Sequence, residues 1–585
     1  MPVVGTAGHV DHGKSTLLRA LTGRDPDRWA EEKRRGLTID LGFTWMTLPS
    51  GREVSFVDVP GHQRYARNML AGIEAIDLAL LIVAADEGWM PQTEEHLAIL
   101  DLFGIDHGIV VISKIDLVDE DLVELASLEA EEMTVGTSLR DSPIIGVSAQ
   151  NGAGIDELVT ALDRMLELST ETAGSPRLWV DRSFGIAGAG TVVTGTLQGG
   201  AVKLADDLTA WPSGDTVRVR AIESHEQRLQ AVEPHRRVAL NLSGADVARV
   251  GRGTMLGRAG EWDPTERLVA RLSPVTRATE TPDRGSFQLH IGSAWASMSM
   301  RRLEDDFYLV RLDRPLPLRV GDRFAVRDTG RRAVVAGGTV LDPGPGRRPR
   351  RSLTSLLAIE SGGDREDVAR VLLEVRGRDN AKRLRAHTGG VPHEATVIDD
   401  TAYSDAEISR MASAVIDMVV QHHEERPLRP GVPLSHVASR LGVTTRTVEA
   451  VVGTIDFLNL DGPYLTHSSH RARPTQEDEI RWNTARQLLG DAGLAVPRVS
   501  ELGLDDELLH YLIRAGFLVR VSNEFVYLPE QLQRLRELIA SMSPVFTLAD
   551  IRAATTLSRL HLIPILEWSD HEGITVREGD SRRLR

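Results

Sequence analysis

The sequence predicts a multidomain chain: an α/β P-loop domain, two β-barrels, then C-terminal tandem winged-helix modules. Three observations predict it. A glycine-rich loop, GHVDHGKST (Gly8 to Thr16), directly follows an apolar strand-like run at the N-terminus. From about residue 177 to 345, alternating strands and helices give way to short β-rich pieces with Gly, Asp and Pro turns. Beyond the Pro/Gly/Arg linker DPGPGRRPRR (Asp342 to Arg351), helical stretches return with hairpins between them. At 585 residues the chain is too long for one hydrophobic core, so several domains are required.

The first domain is expected over residues 1–172. Val54 to Val57, Ala79 to Val83 and Ile109 to Ile112 are apolar strand-like runs, each followed by an amphipathic segment, which implies a mostly parallel sheet covered by helices. Residues 175–262 and 264–345 read as two small antiparallel barrels, with strands such as GTVVTGTLQGG and RRVALNL. The winged-helix region is expected over 352–585. In VPLSHVASRLGVTTRTVEAVVGTI, Leu434, Val437 and Leu441 form one apolar face and Val448, Val451 and Ile455 another, with Gly442 turning the chain between them. A wing follows near Tyr464. The last module, about 535–585, starts a helix at Thr547 with Asp550 three residues on, a second near Ser558, and a hairpin turning at Glu578, Gly579 and Asp580. Weaker copies of the pattern lie near 355–425 and 475–530.

Composition narrows the function. There is no cysteine, which excludes disulfides, thiolate metal sites and cysteine nucleophiles. No run approaches eighteen apolar residues and no signal peptide precedes the first strand, so a cytoplasmic chain without a membrane partner is expected. A net charge of −16 argues against coating nucleic acid indiscriminately, though not against local basic patches. Only five of the 68 basic residues are lysines, and two of those five, Lys14 and Lys114, sit in motifs.

Gly8 to Ser15 matches G-x-x-x-x-G-K-[ST] without mismatch, and the loop spans Gly8, His9, Val10, Asp11, His12, Gly13, Lys14, Ser15 and Thr16. Its amides would cradle a β-phosphate, Lys14 would reach the β/γ oxygens, and Ser15 would bind Mg²⁺. DVPGH (Asp58 to His62) ends a strand: Asp58 belongs in the metal's outer shell, the Gly61 amide faces the γ-phosphate, and His62 lies beside the attacking water. RGLTID (Arg35 to Asp40) offers the Thr38 hydroxyl to Mg²⁺. In SKID (Ser113 to Asp116), Asp116 accepts from guanine N1–H and the exocyclic amine, and Lys114 covers the base. VSAQ brings Ser148 and the Ala149 amide to the guanine oxygen. Five elements in this order predict a GTPase using GTP and Mg²⁺. Ser113 stands where most GTPases carry asparagine, and the shorter side chain predicts weaker nucleotide retention.

GHVDHGKST, RGLTID and DVPGH with two barrels behind them resemble the translational GTPases related to elongation factor Tu, over roughly residues 1–345. RGLTIDLGF, the stretch FVDVPGH onward, and DRSFGIAGAGTVVTGT resemble the bacterial selenocysteine-specific elongation factors, as does a tail of winged-helix modules. The resemblance implies delivery of selenocysteinyl-tRNA to the ribosome at UGA codons marked by an mRNA hairpin, by a monomer. It makes His62 the residue that the ribosome sets in place, Val10 and Leu37 the gate that restrains it, and Asp11 a ligand of a monovalent cation. It assigns Asp181, Arg182 and Arg237 to the selenocysteine pocket, where guanidiniums suit a side chain that is largely anionic at neutral pH. It assigns Arg559, Arg577, Arg582 and Arg583 to the hairpin.

Two rival readings stand beside this one. A sulfate-activating GTPase subunit would explain the P-loop and barrels but not a nucleic-acid-binding tail. A GTP-controlled winged-helix regulator of DNA would explain the tail, but the chain is acidic and its modules are unlike one another.

Overall fold

The computed structural model describes residues 2–26, 40–61, 66–73, 76–168, 174–186, 190–244, 249–275, 280–282, 284–346, 353–359 and 364–585. They form two compact units, Met1–Asp405 and Ala406–Arg585.

The first unit begins with a six-stranded sheet. Its strands are β1 (Val3–Gly8), β2 (Gly42–Thr47), β3 (Glu53–Asp58), β4 (Leu78–Ala84), β5 (Gly108–Ser113) and β6 (Ile144–Gly146), in the order β2-β3-β1-β4-β5-β6. All pairings are parallel except β2 with β3. Helices α1 (Lys14–Thr22), α2 (Ala66–Ile73), α3 (Pro91–Phe103), α4 (Glu120–Thr134) and α5 (Ile155–Met165) lie in the connections. In β4 every residue of LALLIVA is buried, because a parallel sheet is covered on both faces. Successive residues therefore enter different cores: Val3, Leu81 and Val110 join one, while Val4, Leu80 and Val111 join the other. The C-terminal ends of β1, β3 and β5 carry the three phosphate and base motifs, as open α/β sheets dictate.

Two six-stranded barrels follow. In the first, Asp207–Trp211, Met255–Gly257, Arg177–Trp179, Gly190–Gln198, Arg236–Ser243 and Asp215–Ser224 pair in that order, and the last pairs back with the first. Arg182–Ile186 adds a flap on Gly190–Gln198. The second barrel closes through Thr265–Pro274, Phe307–Leu316, Ala294–Glu304, Phe287–Ile291, Arg323–Asp328 and Ala333–Asp342. Helix α3 lies on its wall. Gly337 allows that approach, since a Cβ there would stand 2.7 Å from a Leu102 methyl.

The first winged-helix module comprises helices Arg365–Arg376 and Ala381–Thr388, the strand Arg378–Asn380 and the hairpin Thr396–Ile398/Thr401–Tyr403. Sequence alone groups it with the rest of the tail; its core does not. Leu353, Leu356, Leu372 and Leu384 pack against Phe307, Leu309 and Leu341 of the second barrel. Across the same seam Arg376, 5% exposed, is ion-paired with Asp342 of the barrel and Asp379 of the module. Both of its amino nitrogens also lie 3.2 Å from His387 Nδ1.

The second unit holds three further modules. The helix Asp405–Glu425 opens the first of them, so it does not belong to a weak copy spanning 355–425. Helices Leu434–Leu441 and Thr445–Val452 follow, turned by Gly442 at φ 64°, with the wing Leu458–Asp461/Tyr464–His467. The next module runs from helix Gln476–Ala492 to the short ladder Val519–Arg520/Val526–Tyr527. The last runs from Pro529–Ala540 to the hairpin Thr575–Glu578/Ser581–Leu584. There Thr547 and Asp550 form the expected reciprocal cap and Ser558 precedes the helix Arg559–His571.

Candidate functional site: a nucleotide loop and a barrel pocket

The loop after β1 is shaped by backbone that only certain residues tolerate. Gly8 has φ +134°, and a Cβ there would stand 2.2 Å from the Ile82 carbonyl oxygen. Gly13, at φ +86°, turns the chain into α1. Lys14 is buried, and its ammonium donates to the carbonyls of Gly8 (3.0 Å) and His9 (2.6 Å). Burial pulls its pKa down to about 8, so the group is poised to gain from an anion. The Ser15 hydroxyl donates to Asp58 Oδ2 at 2.6 Å, and Thr6 holds the other oxygen of Asp58 at 2.8 Å. Hydroxyl and carboxylate thus converge at one corner of the loop. A Cβ on Gly61 would lie 2.7 Å from Lys14 Nζ and 2.9 Å from the Val10 nitrogen, so this corner has room only for glycine.

Two residues from α3 complete the loop, and sequence reasoning missed both. His96 Nδ1 accepts from the Gly8 amide at 2.9 Å, and Gln92 Oε1 accepts from the Val10 amide at 3.0 Å. No local motif marks them; they reach the loop only because β4 delivers α3 there. His96 is fully buried and its pKa falls to about 3, chiefly through desolvation. Inside the loop, His12 is held the same way near 4 and its Nδ1 lies 3.1 Å from the Ile82 carbonyl. Both pKa values are depressed, so an unfolded chain binds more protons than the native one. Stability from the pair is complete above the ordinary histidine pKa and is lost as pH falls through 6 toward 4. Each group contributes about 1.4 kcal/mol per pH unit in that window. Thermal unfolding between pH 7 and 4.5 is expected to show this slope, and His96→Asn, which keeps an acceptor but cannot protonate there, is expected to lower it by about 1.4 kcal/mol per pH unit, leaving the share of His12.

At the base end, Asp116 is exposed. Lys114, at φ 59°, is ion-paired at 3.1 Å with both Asp86 and Glu87. Ser148 is buried and its hydroxyl accepts from the Gln150 and Asn151 amides, which shapes the turn around Ala149. Ser113 reaches the phosphate loop: its hydroxyl donates to the His12 carbonyl at 2.7 Å. The tether from this strand to the phosphate loop is therefore present despite the shorter residue. Asp11 is exposed at φ 66°. Thr16 lies in α1. Thr38, Leu37 and His62 lie outside the described residues.

The first barrel meets the nucleotide domain at a second polar cluster. Arg237 grips Asp181 with both amino nitrogens (2.5 and 3.1 Å), and Thr194 donates to the same carboxylate at 2.7 Å. The Arg237 guanidinium lies on the Phe43 ring of β2, 3.2 Å from its centre. Arg182 flanks the same ring at 5.5 Å and donates to Asp40 and to the Leu41 carbonyl. Phe43, Arg182, Thr194 and Arg237 line a cavity of about 270 Å³, with His225 stacked on Trp45 at its far wall.

Comparison with known proteins matches residues 1–168 to the elongation factor Tu GTP-binding domain, 270–347 to the selenocysteine-specific elongation factor β-barrel domain, and 537–584 to the elongation factor SelB winged helix. The selenocysteine-specific elongation factor of Desulfomicrobium baculatum is 33% identical, with both chains covered completely. That of Escherichia coli K12 is 32% identical over all of this chain and 98% of its own.

The chain belongs to the selenocysteine-specific elongation factors.

A crystal structure of a bacterial selenocysteine-specific elongation factor, EF-Sec, matches over 100% of this chain and 99% of its own, with a TM-score of 0.71 and 27% identity. The chain is thus a translational GTPase of this family, and neither a sulfate-activating subunit nor a DNA regulator is supported. No helix among the described residues is long and apolar enough to cross a membrane.

In this selenocysteine-specific factor the four C-terminal arginines are not equivalent. Arg559 is exposed at the start of its helix. Arg577 donates to the Gly579 carbonyl within its own turn. Arg582, 12% exposed, is paired with Asp570 at 3.0 Å and ties the wing to the preceding helix, while Arg583 pairs with Glu578. The geometry leaves Arg559, Arg577 and Arg583 exposed and gives Arg582 a structural partner.

Proposed function

We propose that this chain, carrying GTP and Mg²⁺, delivers selenocysteinyl-tRNA to ribosomes in the cytoplasm at UGA codons marked by an mRNA hairpin, and that the ribosome triggers its GTPase. The observation that supports the cargo is the pair of guanidiniums, Arg182 and Arg237, set around Phe43 beside one cavity. A selenolate would take a guanidinium, and the cargo's amino group would take Asp181. The Arg237–Asp181 pair would thereby be exchanged for two new ion pairs, with little net change in buried charge. A serine ester brings the amino group but no anion, and so leaves a desolvated guanidinium unpaired. At about 1.5–3 kcal/mol for a hydrogen bond to a charged group, the expected preference is roughly 10- to 150-fold. Binding of the GTP form to one tRNA charged in turn with selenocysteine, serine and cysteine tests this. Preference for selenocysteine that disappears in Arg237→Ala supports the reading, and equal affinities overturn it.

The nucleotide site fits its ligand, since the buried Lys14 ammonium donates to the Gly8 and His9 carbonyls inside the loop and glycines hold the cradle open. Lys14 and the loop amides would hold the phosphates, Ser15, Thr38 and the outer-shell Asp58 the metal, and Asp116 and Ala149 the base. Bound Mg²⁺ supplies charge neutralisation for phosphoryl transfer. Among the protein's own groups, His62 would orient the attacking water once the ribosome sets it in place. His62→Ala is expected to lose about 10²–10⁴-fold of ribosome-stimulated hydrolysis with GTP binding unchanged. Stopped-flow hydrolysis with and without ribosomes measures it. Arg559, Arg577 and Arg583, all exposed on the last module, are the residues we assign to hairpin phosphates.

A further inference from the structure

The two pocket arginines are restrained by different parts of the chain. Asp181, the partner of Arg237, belongs to the same barrel and moves with it. The partners of Arg182 do not. Its Nε donates to Asp40 Oδ2 at 3.1 Å, its Nη2 lies 2.9 Å from the same carboxylate, and Nη2 also donates to the Leu41 carbonyl at 2.6 Å. Arg252, 3.9 Å from Asp40 Oδ1, adds a second cation on the other side. Asp40 and Leu41 belong to the nucleotide domain and lead directly into β2. An anionic side chain entering the cavity meets Arg182 with its Nε and Nη2 donors engaged and a carboxylate beside it. Both effects oppose binding.

Asp40 is also close to the nucleotide site through described backbone. Gly42, two residues on, is the ladder partner of Asp58, and a Cβ on Gly42 would lie 3.1 Å from the Asp58 Cβ. Asp58 is the carboxylate that holds the Ser15 hydroxyl in the structure. Any rearrangement of that corner on binding a metal and a γ-phosphate acts on the strand end that carries Asp40.

We propose that Asp40 is an internal competitor for the cargo's anionic side chain: while it holds Arg182 the barrel pocket disfavours selenocysteine, and GTP-dependent displacement of residues 40–41 releases the arginine to the cargo. This rests on the reading of Arg182 and Arg237 as the selenocysteine pocket, and it adds a residue from the other domain that sets when the pocket is available. The effect is specific to charge. A serine side chain has no use for Arg182 and is indifferent to Asp40.

The test uses the full chain as wild type, Asp40→Asn and Asp40→Glu, and measures binding of one tRNA charged with selenocysteine or serine, with GDP and with GTP. Asp40→Asn is expected to bind selenocysteinyl-tRNA in the GDP form at least roughly tenfold more tightly than wild type does, about the worth of one charge-assisted contact. Seryl-tRNA is expected to gain nothing, and the GTP form to change by less than about threefold. Asp40→Glu, which keeps the charge, is expected to stay near wild type, so a merely structural effect of altering this position is separated from loss of the competitor. The proposal is overturned if Asp40→Asn leaves GDP-form affinity unchanged, if both tRNAs gain equally, or if Asp40→Glu behaves as Asp40→Asn does. If the wild-type GTP form shows no preference for selenocysteine over serine, the pocket reading fails and the proposal falls with it. That outcome is distinct from a selective pocket that ignores Asp40.

Discussion

Arg376→Ala is expected to cost about 3–5 kcal/mol of stability, concentrated where the first winged-helix module meets the second barrel. The arginine is 5% exposed, Asp342 likewise, and Asp379 is fully buried. Removing the guanidinium leaves two carboxylates behind in a place that water does not reach. Asp379 keeps Arg383, which donates at 2.6 Å, but among the described residues the Asp342 side chain keeps only the Gly344 amide at 2.9 Å. The damage falls on the seam, and the small module has less other packing to hold it than the closed barrel. Hydrogen exchange in residues 365–403 is expected to accelerate, while the nucleotide domain keeps its protection. Arg376→Lys is expected to recover only part of the loss, because a single ammonium cannot replace a fork that serves Asp342, Asp379 and His387 together. A global loss shared by every element would contradict the local seam.

Lys14→Ala is expected to lower kcat for GTP hydrolysis by about 10²–10³-fold or more, the range found for removing one preorganised charge-stabilising donor. The structure explains why the position allows no substitute. Its ammonium is buried against the Gly8 and His9 carbonyls, and Gly61 is packed so tightly against it that a single added carbon would lie 2.7 Å from Nζ. Arginine is bulkier and planar, so Lys14→Arg is expected to fail as completely as alanine. Single-turnover hydrolysis with nucleotide affinity measured in parallel separates the two losses. A variant that binds GTP normally and hydrolyses it at the wild-type rate would remove Lys14 from the mechanism.

Much of this was legible in the sequence, and the reason is locality. The P-loop, DVPGH, SKID and VSAQ are each a few consecutive residues whose chemistry is set by their order, and the sheet brings them to one edge because each follows a strand. The Thr547–Asp550 cap is local in the same sense. What the sequence hid depends on tertiary approach. Gln92 and His96 touch the loop across more than eighty residues of chain. Phe43 and Asp40 reach the barrel arginines across a domain boundary. The first winged-helix module looks in sequence like one of several similar copies, and only its buried contacts assign it to the barrel. Ser113 is another such contact, since its hydroxyl reaches the phosphate loop because the strand end sits close to His12.

Helix α3 touches both halves of the problem. Near its N-terminus Gln92 and His96 hold amides of the phosphate loop, and near its C-terminus Leu102 and Gly104 press on the second barrel. A thirteen-residue helix is a strut about 20 Å long that neither stretches nor bends cheaply. Strain imposed at one end is therefore delivered to the other. Because coupling between two binding events is reciprocal, any ligand of the barrels that acts on the phosphate loop through this strut must appear as an equal factor in how tightly the nucleotide is held.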